Sequence, residues 1–218
     1  MDFRRIAKAK LPAPVFHYID GGADDEWTLR RNTDAFDGYE LLPTHLSNVS
    51  AIDTGSTLFG RSIDWPVMIA PTGASKLVHA GGEAAVASVA GQMNIPYSLS
   101  TVGTTTIEDS AGIGEHPKVF QIYVFRDRGL TQRFVERCKA ADYTALCLTV
   151  DTPVAGNRER DNYYGMMATA RPALRSVPSM LRHPGWLYRA VVRKDMELVN
   201  VTSDEEAQCF TDMSVKDF

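Results

Sequence analysis

In the stretch ALCLTVDTPVAGNRERD, residues 145–161, an apolar run gives way to Thr149, Asp151 and Arg158. A hydroxyl, a carboxylate and a guanidinium in close succession can bind an anion, steady a base or satisfy one another. Side chains alternate across an extended strand, so Ala145, Cys147, Thr149 and Asp151 share one face while Leu146, Leu148 and Val150 share the other. The aliphatic face is expected to pack, and the opposite face turns polar toward its end. A buried carboxylate is costly without a partner, so Asp151 is expected to serve one. The same counting pairs Ser98 with Ser100 and Gln121 with Tyr123 on single strand faces. Each residue alone reads equally well as a locally satisfied buried polar group; three successive strands ending alike point to a shared site. Pro71, Thr72 and Gly73 add a tight turn whose backbone can approach a flat ligand closely.

Four β-rich apolar runs must position these residues: WPVMIAP from Trp65, IPYSLS from Ile95, VFQIYVF from Val119 and ALCLTVD from Ala145. Between the first two, the spacing predicts a helix with Val86, Val89, Ala90 and Met93 on one stripe, and between the last two a helix carrying Leu130, Phe134 and Cys138. Strand and helix in alternation imply right-handed crossovers and a parallel sheet. A doubly wound sheet would keep both faces apolar, whereas a barrel interior can turn polar at the C-terminal ends of its strands. The fold class expected is α/β, the N-terminal half of a (β/α)8 barrel behind a helical cap. On this reading residues 1–64 are cap and lead-in, with helix around Asp24 to Ala35, residues 65–164 are the first four βα units, and residues 165–218 are a basic excursion and the chain end.

The 218 residues, 44% hydrophobic and 23% charged, suit a soluble globular core rather than a disordered or membrane-spanning chain. A net charge of -4 gives no overall positive field to hold phosphates, which argues against nucleic acid as a partner. Cys138, Cys147 and Cys209 lack metal-ligand spacing, no metal is expected, and Cys138 and Cys147 lie in elements that read as buried, as reduced thiols of a cytoplasmic protein do. No secretory leader or spanning segment is expected from the apolar patterning.

The segments KLPAPVFHYIDGGADDEWTLRRN, MIAPTG, LSTVGTTTIED, FQIYVFRDR and LTVDTPVAGNRERD together resemble the FMN-dependent 2-hydroxy-acid oxidases and dehydrogenases, nearly without gaps from Ile6 to Tyr164. The resemblance implies a (β/α)8 barrel with FMN across its C-terminal mouth. It implies that the backbone at Pro71, Thr72 and Gly73 meets the flavin ring, and that Ser100, Gln121 and Thr149 hydrogen-bond the ring's polar edge. It further assigns Tyr18 to the substrate carboxylate, Tyr123 to the substrate hydroxyl and Arg158 to the substrate anion at the mouth. Val102 stands where the oxidase members often carry a bulky aromatic, which makes the chain more similar to the dehydrogenases.

In that family the residue matching Asp151 supports a catalytic histidine within a Ser-Asn-His-Gly-Gly-Arg-Gln type segment, and a lysine on the fifth strand faces the flavin. These 218 residues contain no such segment, and His17, His45, His79, His116 and His183 read as surface or packing histidines. The expectation is therefore the N-terminal part of an enzyme oxidising an L-2-hydroxy acid to a 2-oxo acid, inactive alone and a homo-oligomer when complete. The alternative is a non-catalytic half-barrel that binds flavin weakly or serves as an assembly partner. Residues 171–194 carry six Arg or Lys and no acid, interleaved with Leu, Met, Trp, Tyr and Val. That composition suits peripheral contact with anionic lipid at the cytoplasmic membrane face, and the two prolines that interrupt the stripe, Pro178 and Pro184, shorten any continuous helix there.

Overall fold

The computed structural model describes residues 2–125, 127–151, 156–165 and 173–201. In chain order the elements are α1 (Phe3–Lys10), α2 (Ala13–Asp20), α3 (Trp27–Asp34), β1 (Ser56–Leu58), β2 (Arg61–Ile63), β3 (Ile69–Thr72), α4 (Gly82–Gln92), β4 (Tyr97–Ser100), α5 (Ile107–Ala111), β5 (Lys118–Ile122), α6 (Arg128–Ala140), β6 (Ala145–Leu148), α7 (Glu159–Tyr164), α8 (Val177–Leu181) and α9 (Pro184–Tyr188). By contact they form two compact units, residues 53–155 with 195–218, and residues 1–52 with 156–194. The division by contact thus interleaves the segments that succession along the chain would group together.

The first unit is built on a four-stranded parallel sheet in the order β3-β4-β5-β6, as the βα alternation predicts. Tyr97, Leu99, Phe120 and Ile122 project from one face into the core with Ile107, Leu130, Phe134 and Cys138. Leu99, Ile107, Phe120 and Phe134 are wholly excluded from solvent, and the Phe120 and Phe134 rings meet at 5.6 Å between centroids. Burying each such side chain is worth about 1.5–3 kcal/mol, so this layer anchors the sheet. Asp127 caps α6 by accepting from the Gly129 N–H at 2.8 Å, and Thr106 caps α5 by accepting from the Asp109 N–H at 3.0 Å. Ahead of the sheet, β1 and β2 form a hairpin that composition alone did not announce. Its two-residue turn, Phe59 and Gly60, has positive φ at both positions, the backbone that matches strand twist.

Four expectations are corrected here: the α4 stripe, the packing of the β6 aliphatic face, and the burial of Cys147 and of Asp151. On α4 the buried face is Gly82, Glu83, Ala87 and Ala90, with Val86 and Val89 exposed and Met93 half-buried. Small residues let the helix approach closely, and Glu83 finds hydrogen-bond donors on that side, which outweighs the greater apolarity of valine. On β6 the aliphatic Leu146 and Leu148 are exposed, as are Cys147 and, just past the strand, Val150, so neither face of this edge strand is well covered among the described residues. Asp151 is likewise exposed, so its carboxylate bears no burial cost in this chain. Cys138 is buried as expected, and burial pushes its thiol up to about 12; Cys209 lies outside the described residues.

The second unit is helical. Asp2 caps α1 through the Arg5 N–H, and α2 buries Pro14, Val15 and Phe16. The α2 helix meets α7, with the His17 and Tyr164 rings stacked at 4.1 Å and Asp20 paired to both Arg4 and Arg160. In α8 and α9 a proline falls in the first turn, where its missing N–H costs nothing, so each proline starts a new short helix instead of letting one run through.

Candidate active site

Across the C-terminal ends of three adjacent strands runs a connected row of hydrogen bonds. Ser100 is opposite Gln121 in the β4–β5 register, and Gln121 is opposite Cys147 in the β5–β6 register. The Ser100 hydroxyl donates to Gln121 Oε1 at 2.9 Å, and Gln121 Nε2 donates to Thr149 Oγ1 at 2.5 Å. Ser100 and Gln121 are 3% and 5% exposed, so the row is held in a low-dielectric setting where polar groups need partners. The Thr149 hydroxyl accepts from Gln121, which leaves its own proton to donate onward. The second Nε2 hydrogen of Gln121 is a further donor beside it. Beneath, Ser98 Oγ is buried and unpartnered on the same strand face.

Thr101, outside the face counting because its parity is opposite, completes the support. Its hydroxyl donates to the Gln121 carbonyl at 2.6 Å and accepts from the Tyr123 N–H at 3.4 Å. Tyr123 thus leaves β5 on a fixed path, half-buried, with its ring edge-on to Phe125 at 6.5 Å. A run of threonines after a strand is the only signal that could have marked Thr101.

At the end of β3 the register with β4 shifts between Ile69 and Thr72, so the backbone of Pro71, Thr72 and Gly73 departs from the regular ladder. A Cβ at Gly73 would stand 2.4 Å from Val102 Cγ2 and 3.0 Å from its carbonyl oxygen. Glycine is required there by Val102. The next residue, Ala74, has φ +52° and donates its N–H to the Val102 carbonyl at 2.8 Å.

In the helical unit, Tyr18 and Arg158 come together. The guanidinium lies 5.2 Å from the Tyr18 ring centroid, donates to the Tyr18 carbonyl, and pairs with Asp161, itself 3% exposed. Burial raises the Tyr18 phenol, and although the Arg158 charge opposes this the net direction is upward. A phenol kept protonated beside a cation donates to a carboxylate. Arg160, which sequence reading passed over, bridges Asp20 at 3.1 Å and Glu26 at 2.6 Å and holds α7 in place.

Residues 7–217 match the model of the FMN-dependent dehydrogenase family. The chain belongs to that family. An L-lactate dehydrogenase of Vibrio parahaemolyticus is 40% identical over 203 residues, which cover 93% of this chain and 53% of that protein, and one of Serratia proteamaculans matches to the same extent. The structure of the monotopic membrane protein (S)-mandelate dehydrogenase superposes with a TM-score of 0.84 at 31% identity, covering 97% of this chain and 57% of that one. The chain spans about half the length of the curated relatives it matches. The four parallel βα units are accordingly half of the barrel of these FMN-dependent dehydrogenases.

The residues present fit the family's cofactor. A flavin ring edge alternates carbonyl acceptors with an N–H donor, and a glutamine amide flanked by two hydroxyls offers both donors and acceptors. The orphaned Ser98 hydroxyl and the remaining Thr149 proton are further polar capacity on the face that carries the row.

Proposed function

We propose that this chain supplies the flavin-edge and carboxylate-recognising parts of an FMN-dependent dehydrogenase that oxidises an L-2-hydroxy acid to the 2-oxo acid. Bound FMN supplies the two-electron acceptor. The observation that carries the reading is the continuous hydrogen-bonded row Ser100–Gln121–Thr149 across the C-terminal ends of three adjacent strands, buried at Ser100 and Gln121 and half-buried at Thr149. Ser100, Gln121 and Thr149 hold the ring's polar edge, and the irregular backbone at Pro71, Thr72 and Gly73 approaches its face. Tyr18 and Arg158 bind and orient the substrate carboxylate. Tyr123 donates toward the substrate hydroxyl. Asp151, exposed here, accepts an N–H from the family's histidine base and supports the charge that base gains as it takes the hydroxyl proton.

Residues 173–194 support a peripheral membrane role for the same protein. Leu174, Leu181, Tyr188, Val191 and Val192 are more than half exposed amid arginines, and no helix among the described residues is long and apolar enough to cross a membrane.

The test is to titrate FMN into the purified chain by flavin fluorescence, then assay L-2-hydroxy acids with an artificial electron acceptor. Stoichiometric binding with oxo-acid formation is expected once the histidine segment is present, in cis or in trans. FMN bound without turnover in either case would make the chain a flavin-binding half-barrel, and absence of FMN binding would defeat the reading.

A further inference from the structure

Glu83 is 1% exposed on the buried face of α4, yet its carboxylate serves residues far from it in sequence. Oε1 accepts from the N–H of Ser75 at 3.0 Å and of Thr104 at 2.9 Å, while Oε2 accepts from the hydroxyls of Thr104 and, at 3.3 Å, Thr105. Ser75 lies in the loop after β3 and Thr104 in the loop after β4, so one carboxylate spans the two connections. Two further bonds run directly between those loops: Lys76 N–H to Thr104 Oγ1 at 3.3 Å, and Ala74 N–H to the Val102 carbonyl at 2.8 Å. The first loop continues Pro71, Thr72 and Gly73; the second continues Ser100.

We propose that Glu83 is a positioning residue, a buried carboxylate clamp that fixes the loop after β3 against the loop after β4 and so sets the separation of the two flavin-contacting segments. The proposal deepens the flavin reading and rests on it for its functional consequence. Burial by itself would push this carboxyl upward, but the Thr104 hydroxyl and the N–H groups of Thr104 and Ser75 outweigh it and hold the group below the usual carboxylate range. The clamp is therefore charged at neutral pH, and each of its bonds is charge-assisted. Such bonds are roughly twice as strong as neutral ones, which makes them suited to holding loops rather than merely filling space.

Glu83→Gln keeps the shape but removes the charge and one acceptor oxygen: with the remaining oxygen on the N–H groups of Ser75 and Thr104, the NH2 faces the hydroxyls of Thr104 and Thr105, which can no longer donate to that position. Two measurements on the purified chain decide the matter. Hydrogen exchange without flavin should show protection reduced at both the Ser75 and Thr104 amides, whose shared acceptor is now neutral, with the β4 and β5 amides unchanged. The FMN dissociation constant should rise about ten- to a hundredfold, the equivalent of one charge-assisted bond. Lys118→Met, at the opposite end of β5, serves as a control, compared at a temperature where both variants are folded; it should bind FMN as the parent does. If Glu83→Gln does not fold, Thr104→Val removes one arm of the clamp and is read in the same way, with loss of protection expected at Ser75. Retained protection, or an affinity loss no larger than in the control, overturns the proposal. Should the parent chain take up no FMN, the flavin reading fails while the exchange experiment still decides whether the clamp exists.

Discussion

Replacing Gln121 with leucine tests the row at its hub. The side chain is 5% exposed and makes three of the bonds that define the site: it accepts from Ser100 Oγ at 2.9 Å and Thr101 N–H at 3.3 Å, and donates to Thr149 Oγ1. Thr101 N–H keeps its shorter bond to the Gln121 main-chain carbonyl at 3.1 Å, and Thr149 can turn toward solvent or ligand, so neither is stranded. Ser100 is different. Its hydroxyl still accepts from the Val102 N–H at 3.3 Å but loses the acceptor for its own proton in a buried setting. One stranded donor costs about 1–3 kcal/mol, partly offset by the apolar surface leucine buries, so the flavin-free chain should lose about 1–2 kcal/mol. The effect on FMN should be larger in proportion, because both the amide donor and the acceptor for the ring edge are gone; two neutral bonds at about 1 kcal/mol each convert to roughly thirtyfold in dissociation constant. Urea unfolding of the flavin-free chain and fluorescence titration with FMN measure the two losses separately. Thr149→Val, alone and combined, completes a cycle in which direct contact predicts a coupling of about 0.5–1 kcal/mol. Additive effects of Gln121→Leu and Thr149→Val, or FMN affinity unchanged by either, would refute the idea that the row acts as one ligand surface.

The His116 ring is 2% exposed with neither nitrogen partnered, and burial, then the Lys118 charge, pushes the imidazole down to about 4. Because the unfolded ring binds its proton near 6.5, its contribution is complete above that pH and is lost on acidification toward 4, at about 1.4 kcal/mol per pH unit and about 3 kcal/mol in all; urea unfolding between pH 7 and 5 should show the slope and His116→Leu should flatten it. Arg158→Met should leave the Asp161 carboxylate buried without its cation and cost about 2 kcal/mol, discounted for the partial exposure of the arginine, whereas Arg158→Lys should recover only part of this because one ammonium cannot reach Asp161 and the Tyr18 carbonyl as a fork does; thermal unfolding of both variants distinguishes them. Residues 173–194 should sediment with anionic but not neutral vesicles, and release should follow added salt; binding indifferent to both lipid charge and salt would remove the membrane role.

Strand parity made Ser100, Gln121 and Thr149 legible as one face, because a period of two depends only on extended backbone and not on what surrounds it. The α6 stripe of Leu130, Phe134 and Cys138 was readable for the same local reason. Parity says which way a residue faces but not whether anything covers that face, and so the packing expected of Leu146 and Leu148 and the burial expected of Asp151 failed on an edge strand. Glu83 was invisible for a deeper reason. Hydrophobic counting ranks valine above glutamate on a helix, and only the arrival of donors from Ser75, Thr104 and Thr105 reverses the order. Those donors lie on the loops at the C-terminal ends of β3 and β4, whereas His116 and Lys118 sit at the N-terminal end of β5, where Lys118 Nζ donates to the Gly114 carbonyl at 2.7 Å. Buried polarity therefore occurs at both ends of the sheet with different connectivity. At the N-terminal end it closes on itself and serves only stability, as Lys118 does, or is left without a partner, as in His116. At the C-terminal end it runs in a chain, from loop to carboxylate and from hydroxyl to amide to hydroxyl, and ends on Thr149, half-buried and with a proton still to donate. A chain of bonds with an open end is what a ligand completes, and that difference in connectivity, more than the polarity itself, is what supports the proposal of a site at the C-terminal end.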